Sequence, residues 1–308
     1  MANILLTNFC NRNCSYCFAR KKMSDGGKKE LLFKNLKIIL DFLKKSNEKT
    51  ARLMGGEPTL HSRFARFINY ILSRGFKAHI FTNGLFPTKI TEFLAKKGSL
   101  IKYSFNIDPQ EIYSSRSRTR IFKNLKILTP FGNCLIGRVI WKADFNIDYL
   151  LDLADKYSIK IIMLRLANPV VGENNKYISS ERYPVLAKNI IREVQKARKR
   201  KIKIGFGCGF PKNMFSDKQL KLLKNYNILN FKRGCDANSG RFDIAPDLSV
   251  FRCFPLLEWK KKKLSDFKNA EEAENYFAKL MWRYQLSNSR FDFIRQGPCF
   301  AYLIKNNL

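Results

Sequence analysis

The 308-residue sequence predicts an α/β fold: a partial (β/α)6 barrel of the TIM type over residues 1–200, with a smaller α+β unit over 201–308. Three observations predict it. Six apolar, strand-like runs alternate with amphipathic helical patterns through the first two-thirds of the chain, and such alternation sets strands parallel with right-handed crossovers. Six units fall short of the eight that close a barrel. After about residue 201 the rhythm breaks into short strand-like pieces mixed with helices, in a chain longer than one small core requires.

The elements follow in order. "NILLT" (3–7) is the first strand. "ELLFKNLKIILDFLKK" (30–45) carries apolar residues at 32, 36, 39, 40 and 43, a helical stripe. "TARLMG" (50–55) is the second strand. "RFARFINYILSRG" (63–75) sets Phe64, Phe67, Ile68, Ile71 and Leu72 on one helical face and stops at Gly75, a suitable residue just past a helix end. "AHIFTN" (78–83) is the third strand. "PTKITEFLAKKG" (87–98) opens with Pro87 and closes with Gly98, the asymmetry expected of a helix. "IKYSFNI" (101–107), "LIGRVIW" (135–141) and "KIIMLRL" (160–166) complete the strands, with helices over 146–157 and 179–199. Beyond 201 come helical segments over 216–226 and 268–284 and the strand-like "DIAPDLSVFRCF" (243–254).

No stretch reaches 18 uncharged apolar residues, so no membrane span is expected. The N-terminus "MANILLTNFC" has neither a basic n-region nor a small-residue cleavage site, which points to the cytosol. There, eight cysteines read as metal ligands or reactive groups rather than disulfides. The net charge is +33, from 58 Lys and Arg against 25 Asp and Glu. That excess suits an acidic partner: nucleic acid, an acidic peptide or an acidic redox protein. Basic residues are nevertheless dispersed, as a lysine-rich composition alone produces. The aromatics are not interleaved with basic residues as an RNA-stacking platform requires, so nucleic acid is the lesser expectation.

"CNRNCSYCFAR" (10–20) places Cys10, Cys14 and Cys17 directly after the first strand, at the sheet edge where α/β folds build active sites. Three thiolates can hold three irons of a cubane cluster and leave the fourth open, and an open metal position marks a catalytic site. A zinc site completed by His61 or His79 is the alternative. Otherwise His61, near a helix start, and His79, inside a strand, read as structural.

The run "CNRNCSYCFA" resembles the radical S-adenosylmethionine (radical SAM) enzymes, whose signature is C-x3-C-x-aromatic-C after the first strand; Tyr16 is the aromatic residue here. Further motifs stand in order at successive strand ends. "GGEP" is Gly55, Gly56, Glu57 and Pro58, where the resemblance implies contacts to the cofactor amino group through backbone carbonyls and Glu57. "TNG" (82–84) ends the third strand. "SFNID" (104–108) offers Ser104, Asn106 and Asp108 for the ribose and carboxylate. "RLANP" (165–169) brings backbone near Leu166 to the adenine, and Arg116 or Arg118 is implied to pair with the carboxylate. The resemblance covers roughly residues 1–200. It implies that S-adenosylmethionine completes the open iron, and that its reductive cleavage gives a 5′-deoxyadenosyl radical able to take hydrogen from an unactivated C–H bond.

"CDANSGRFDIAPDLSVFRC" (235–253) resembles the auxiliary-cluster region called SPASM, or its shortened twitch form, with Ile244, Pro246, Asp247, Val250 and Cys253 in register. Leu248 stands where that pattern carries glycine. Cys208, Cys235, Cys253 and Cys299 are thus implied to hold a second 4Fe–4S cluster with every corner filled. Cys134, at the start of the fifth strand, is either a small buried hydrophobe or a hydrogen-atom donor to a substrate radical.

Proteins of this layout modify ribosomally made peptides, oxidise protein side chains, or dehydrogenate small polar molecules such as aminocyclitols. The chain opens on the first strand, so no winged-helix peptide-recognition unit is expected ahead of it. Peptide modification by crosslinking, epimerisation or oxidation is the leading expectation. Dehydrogenation of a small polar molecule is the alternative, and nucleic-acid modification comes third. An acidic flavodoxin or ferredoxin is the expected electron donor.

Overall fold

The computed structural model describes residues 2–20, 29–207, 210–228, 241–257 and 259–287. All six expected strands form: β1 (Ala2–Thr7), β2 (Thr50–Gly55), β3 (Lys77–Thr82), β4 (Ile101–Asn106), β5 (Cys134–Ile140) and β6 (Ile161–Leu166). They pair parallel in chain order. The helices α1 (Phe33–Lys44), α2 (Phe64–Ser73), α3 (Thr88–Ala95), α5 (Asp148–Lys156) and α6 (Tyr183–Lys199) connect them, together with a helix the periodicity does not predict, α4 (Ser115–Leu128). That segment is rich in Arg and Lys, and its apolar side reduces to Ile121, Leu125 and Leu128. It forms because the Ser114 hydroxyl accepts the Ser117 N–H and because those three residues are buried.

The parallel series runs one strand further than expected. β7 (Lys203–Phe206) pairs parallel with β6. β8 (Phe242–Ile244) then pairs parallel with β1, matching Asn3 to Asp243, and β9 (Ser249–Phe251) and β10 (Lys262–Lys263) follow antiparallel. The result is one open sheet ordered β10-β9-β8-β1-β2-β3-β4-β5-β6-β7. Residues beyond 201 therefore add their strands to the same sheet, with α7 (Asp217–Asn225) and α8 (Ala270–Ser287) following in the chain.

Alternation along each strand separates two faces. Ile4 and Leu6 of β1, Leu53 of β2, Ile80 of β3, Tyr103 and Phe105 of β4, Ile162 and Leu164 of β6 and Phe242 of β8 join one core with the helices. α2 contributes Phe64, Phe67, Ile68 and Ile71, all buried, at about 1.5–3 kcal/mol each for full burial. The opposite, inner face mixes polar side chains such as Asn3, Arg52, His79 and Asp243 with a smaller apolar cluster around Leu5 and Phe251. Among the described residues no helix is long and apolar enough to cross a membrane.

The turn from β8 to β9 shows what the departure at position 248 costs. The Leu248 N–H donates to the Ala245 carbonyl at 3.0 Å, and Leu248 has φ 64°, the left-handed region where glycine fits without strain.

Candidate active site

The three-cysteine loop follows β1 and is held by the ends of three neighbouring strands. From β2, the Gly56 N–H donates to the Thr7 carbonyl and the Glu57 N–H to the Phe9 carbonyl, each at 2.8 Å. The approach is so close that only glycine fits. A Cβ on Gly55, whose φ is 144°, would lie 2.3 Å from the Thr7 oxygen, and one on Gly56 would lie 2.2 Å from the Phe9 oxygen. From β3, the Asn83 amide donates to Asn11 Oδ1 at 2.8 Å and to Cys10 Sγ at 3.7 Å. From β4, Asp108 Oδ2 accepts Arg12 Nη2 and the Tyr16 hydroxyl, both at 2.6 Å. Tyr113 completes this knot: its hydroxyl accepts Arg12 Nη1 at 3.1 Å and the Asp108 N–H at 2.9 Å.

Glu57 is fully buried, and its carboxylate is committed to the protein. Oε1 accepts the Thr59 and Thr82 hydroxyls at 2.6 and 2.8 Å, and Oε2 accepts the Asn83 N–H at 2.7 Å. Glu57 thus ties the end of β2 to the end of β3. Pro58 opens the short 3₁₀ turn Pro58–Leu60 that Glu57 caps. Burial pushes its carboxyl pKa up, opposed by these same hydrogen bonds.

The residues of the loop fit a multinuclear cation. Burial pushes the Cys10 thiol up to about 11 and the Cys17 thiol to about 12, and raises that of Cys14 as well, so as free thiols all three stay protonated. Bound metal would draw them to thiolates. Among the described residues no three His, Cys, Asp or Glu side chains form a closed metal-binding set. The thiols share one loop without converging, and convergence is what metal binding itself imposes. At the end of β4, Asn106 Oδ1 and Asp108 Oδ1 are buried acceptors with no partner. Buried acceptors are normally satisfied, so this pair fits a ligand that brings N–H or O–H donors.

Other expected residues fall elsewhere. Cys134 is buried on the helix-packed side of β5, in the same core as Ile136 and Ile140, as a small buried hydrophobe would be. Arg116 is exposed on the first turn of α4, and the guanidinium that meets Asp108 is that of Arg12. The Leu166 side chain faces the same core as Cys134, leaving its backbone for the site. His61 is structural, with Nε2 on the Leu31 carbonyl and Nδ1 accepting the Arg63 N–H. Cys253 is described, half-buried just ahead of the 3₁₀ turn Phe254–Leu256, and Phe254 packs on Phe18 with ring centroids 4.7 Å apart. Cys208, Cys235 and Cys299 lie outside the described residues.

Below the loop, a belt of hydrogen bonds crosses the inner face over five adjacent strands. Asn3 Nδ2 donates to Asp243 Oδ1 at 2.6 Å, Arg52 Nε to Asn3 Oδ1 at 3.0 Å, and Arg52 Nη1 to His79 Nδ1 at 3.4 Å. Arg52 can only donate, so Nδ1 of His79 is the acceptor and its proton sits on Nε2, which reaches Ser104 Oγ at 2.8 Å. Ser104 is thereby engaged in the belt. Sequence reasoning missed Arg12 and this belt; the polar alternation of strands β2 and β3 was the available signal.

Fold and site together define a class. Residues 4–126 match the family model described as the radical SAM superfamily, so that stretch of the chain is a radical SAM domain. Members of that superfamily are enzymes that use a 4Fe–4S cluster and S-adenosylmethionine. The S-adenosylmethionine-dependent nucleotide dehydratase of Selenomonas ruminantium is 41% identical over 83 residues, 27% of this chain and 29% of that protein. The tungsten-containing aldehyde ferredoxin oxidoreductase cofactor-modifying protein of Pyrococcus furiosus is 34% identical over 108 residues, 34% of this chain and 30% of that protein. The chain thus spans less than a third of the length of either relative. Among solved structures, Streptococcus suis SuiB bound to S-adenosylmethionine superposes with a TM-score of 0.71 at 18% identity, covering 99% of this chain and 74% of that one. SuiB bound to its precursor peptide SuiA gives 0.70 at 17% identity, covering 99% and 72%. At these identities the likeness is one of fold.

Proposed function

We propose that this protein is a radical SAM enzyme that takes hydrogen from an unactivated C–H bond of a ribosomally made peptide, leading to crosslinking, epimerisation or oxidation. The observation that carries it is the three-thiol loop pinned to the ends of β2, β3 and β4 beside the open acceptors of Asn106 and Asp108. In this reading Cys10, Cys14 and Cys17 hold a cluster. Tyr16, the Gly55–Gly56 backbone, Asn106, Asp108 and the backbone at Leu166 orient S-adenosylmethionine. When bound, the pair supplies one-electron reductive cleavage and hydrogen abstraction. The residues around it hold the loop in place and keep water out through the apolar cluster of Leu5, Ala19, Phe251 and Phe254 beneath it.

A peptide substrate is supported by the fold shared with SuiB, a protein crystallised with its precursor peptide, and by a basic chain suited to acidic peptides. A small polar substrate is the second reading, favoured by the local similarity to a nucleotide dehydratase. Cys208, Cys235, Cys253 and Cys299 of a twitch-like unit over 201–308 would hold a second cluster, and an acidic flavodoxin or ferredoxin would deliver electrons.

The test is anaerobic reconstitution. Two cubes give about eight irons per chain, with 5′-deoxyadenosine formed on reduction. The C10A/C14A/C17A variant should keep about four irons and form none. C253A should lose about four and still form it. Deuterium passing into 5′-deoxyadenosine from a deuterated peptide supports the first reading; transfer only from a small polar molecule supports the second.

A further inference from the structure

The inner face below the cysteine loop gathers more cationic than acidic side chains: Arg52 and Arg165, with Arg241 at its edge, against Asp243. Arg165 projects from β6 on the side opposite the buried Leu164 and Leu166, against Gly207, where an added Cβ would come 2.7 Å from its Cγ. Among the described residues its guanidinium makes no ion pair or hydrogen bond. Arg52 bonds to Asn3 and His79, neither of which carries negative charge, and lies over the Phe81 ring at 4.9 Å. Arg241, exposed, stands just ahead of β8, two residues from Asp243. Asp243 is the carboxylate within this group; its Oδ1 accepts from Asn3, and its field, with that of Glu48, offsets part of the repulsion on Arg52. Burial, together with repulsion from Arg241, lowers both the Arg52 and the Arg165 pKa to about 10, and Arg165 adds to the repulsion on Arg52. Arg52 and Arg165 are desolvated guanidiniums that outnumber the Asp243 carboxylate beside them; such groups are costly unless something anionic joins them, and their planar forks match carboxylate and phosphate oxygens.

We propose that Arg52, Arg165 and Arg241 form an oxyanion-binding site on the inner face of the sheet, taking a carboxylate or phosphate of the substrate and fixing its depth below the cysteine loop. Asn3 and His79 orient Arg52 through the belt, while Arg165 is free to close on the anion. The site rests on the reading of this sheet as a catalytic radical SAM barrel, but not on the choice between peptide and small molecule.

Calorimetric titration of the full chain with hexaglutamate, hexaglutamine and inorganic triphosphate tests it. Hexaglutamate or triphosphate should bind and hexaglutamine should not. R165Q should weaken that binding at least about tenfold, while R198Q/K199Q, on the outer helix α6, should change it by less than about twofold. Preference for hexaglutamate identifies an acidic peptide as the source, and preference for triphosphate a phosphorylated small molecule. Without anion, R165Q should melt at or above the wild-type temperature, because it removes an uncompensated cation. Equal weakening by both variants, wild-type binding by R165Q, a lower melting temperature of R165Q, or no binding to wild type would each overturn the proposal. Binding is read without turnover, so its failure leaves cofactor cleavage unaffected, and failure of cleavage leaves anion binding unaffected.

Discussion

Arg12, between two cysteines of the loop, donates from Nη2 to Asp108 Oδ2 across 2.6 Å, and the Asp108 side chain is fully removed from solvent. The pair clamps the loop onto the end of β4. Breaking a buried pair from one side strands the other charge, so R12Q should cost about 3–5 kcal/mol in urea unfolding. The R12Q/D108N double variant should recover part of that loss, with a coupling of about 1–3 kcal/mol. Strictly additive costs would show that the two residues do not act as a unit.

Gly56 and Gly75 make a controlled contrast. G56A drives a methyl group into the Phe9 carbonyl, the peptide that leads into Cys10, and should lower both stability and iron loading severalfold. G75A meets no atom within 4 Å, so only its φ of 80° opposes it, at about 1 kcal/mol, with iron loading unchanged. Iron loading of G56A equal to that of G75A would refute the close-approach account.

His79 gives a pH dependence with a definite sign. Burial, then the fields of Arg52, Lys102 and Arg165, lower its pKa to about 3 from an ordinary value near 6.5. Folding favours the neutral ring, so its contribution is fully present above pH ~6.5 and is lost as pH falls toward the folded value, by at most about 1.4 kcal/mol per pH unit. H79N should be less stable than wild type at pH 7.5, and the gap should shrink between pH 6.5 and 4.5. A constant gap would mean the ring is not held neutral.

Leu248 inverts a common order. Ala is usually more stable than Gly, but at φ 64° L248A keeps the strain and loses the packing, whereas L248G loses packing and relieves about 1 kcal/mol of strain. Thermal unfolding should rank L248G above L248A; the reverse order would place the strain elsewhere.

Much of this was legible because period and spacing are local. The six strands, the cysteine loop and GGEP each sit within a few neighbouring residues, whereas the left-handed turn at 248 showed in the sequence only as a departure from the pattern's glycine. What escaped depends on partners distant in sequence. Arg12 looks like any charged loop residue until β4 brings Asp108 beside it. The facing of Cys134 was hidden because β5 is apolar on both sides. β7 is four residues long, too short for a periodic signal, and α4 is too basic to show a stripe.

The pairing of β1 with β8 joins residues 240 positions apart, Asn3 and Asp243. During synthesis, therefore, the outer flank of the first strand stays unpaired until some 240 further residues have left the ribosome. Folding must wait on this late arrival, and the waiting intermediate carries a bare strand edge able to recruit other nascent chains.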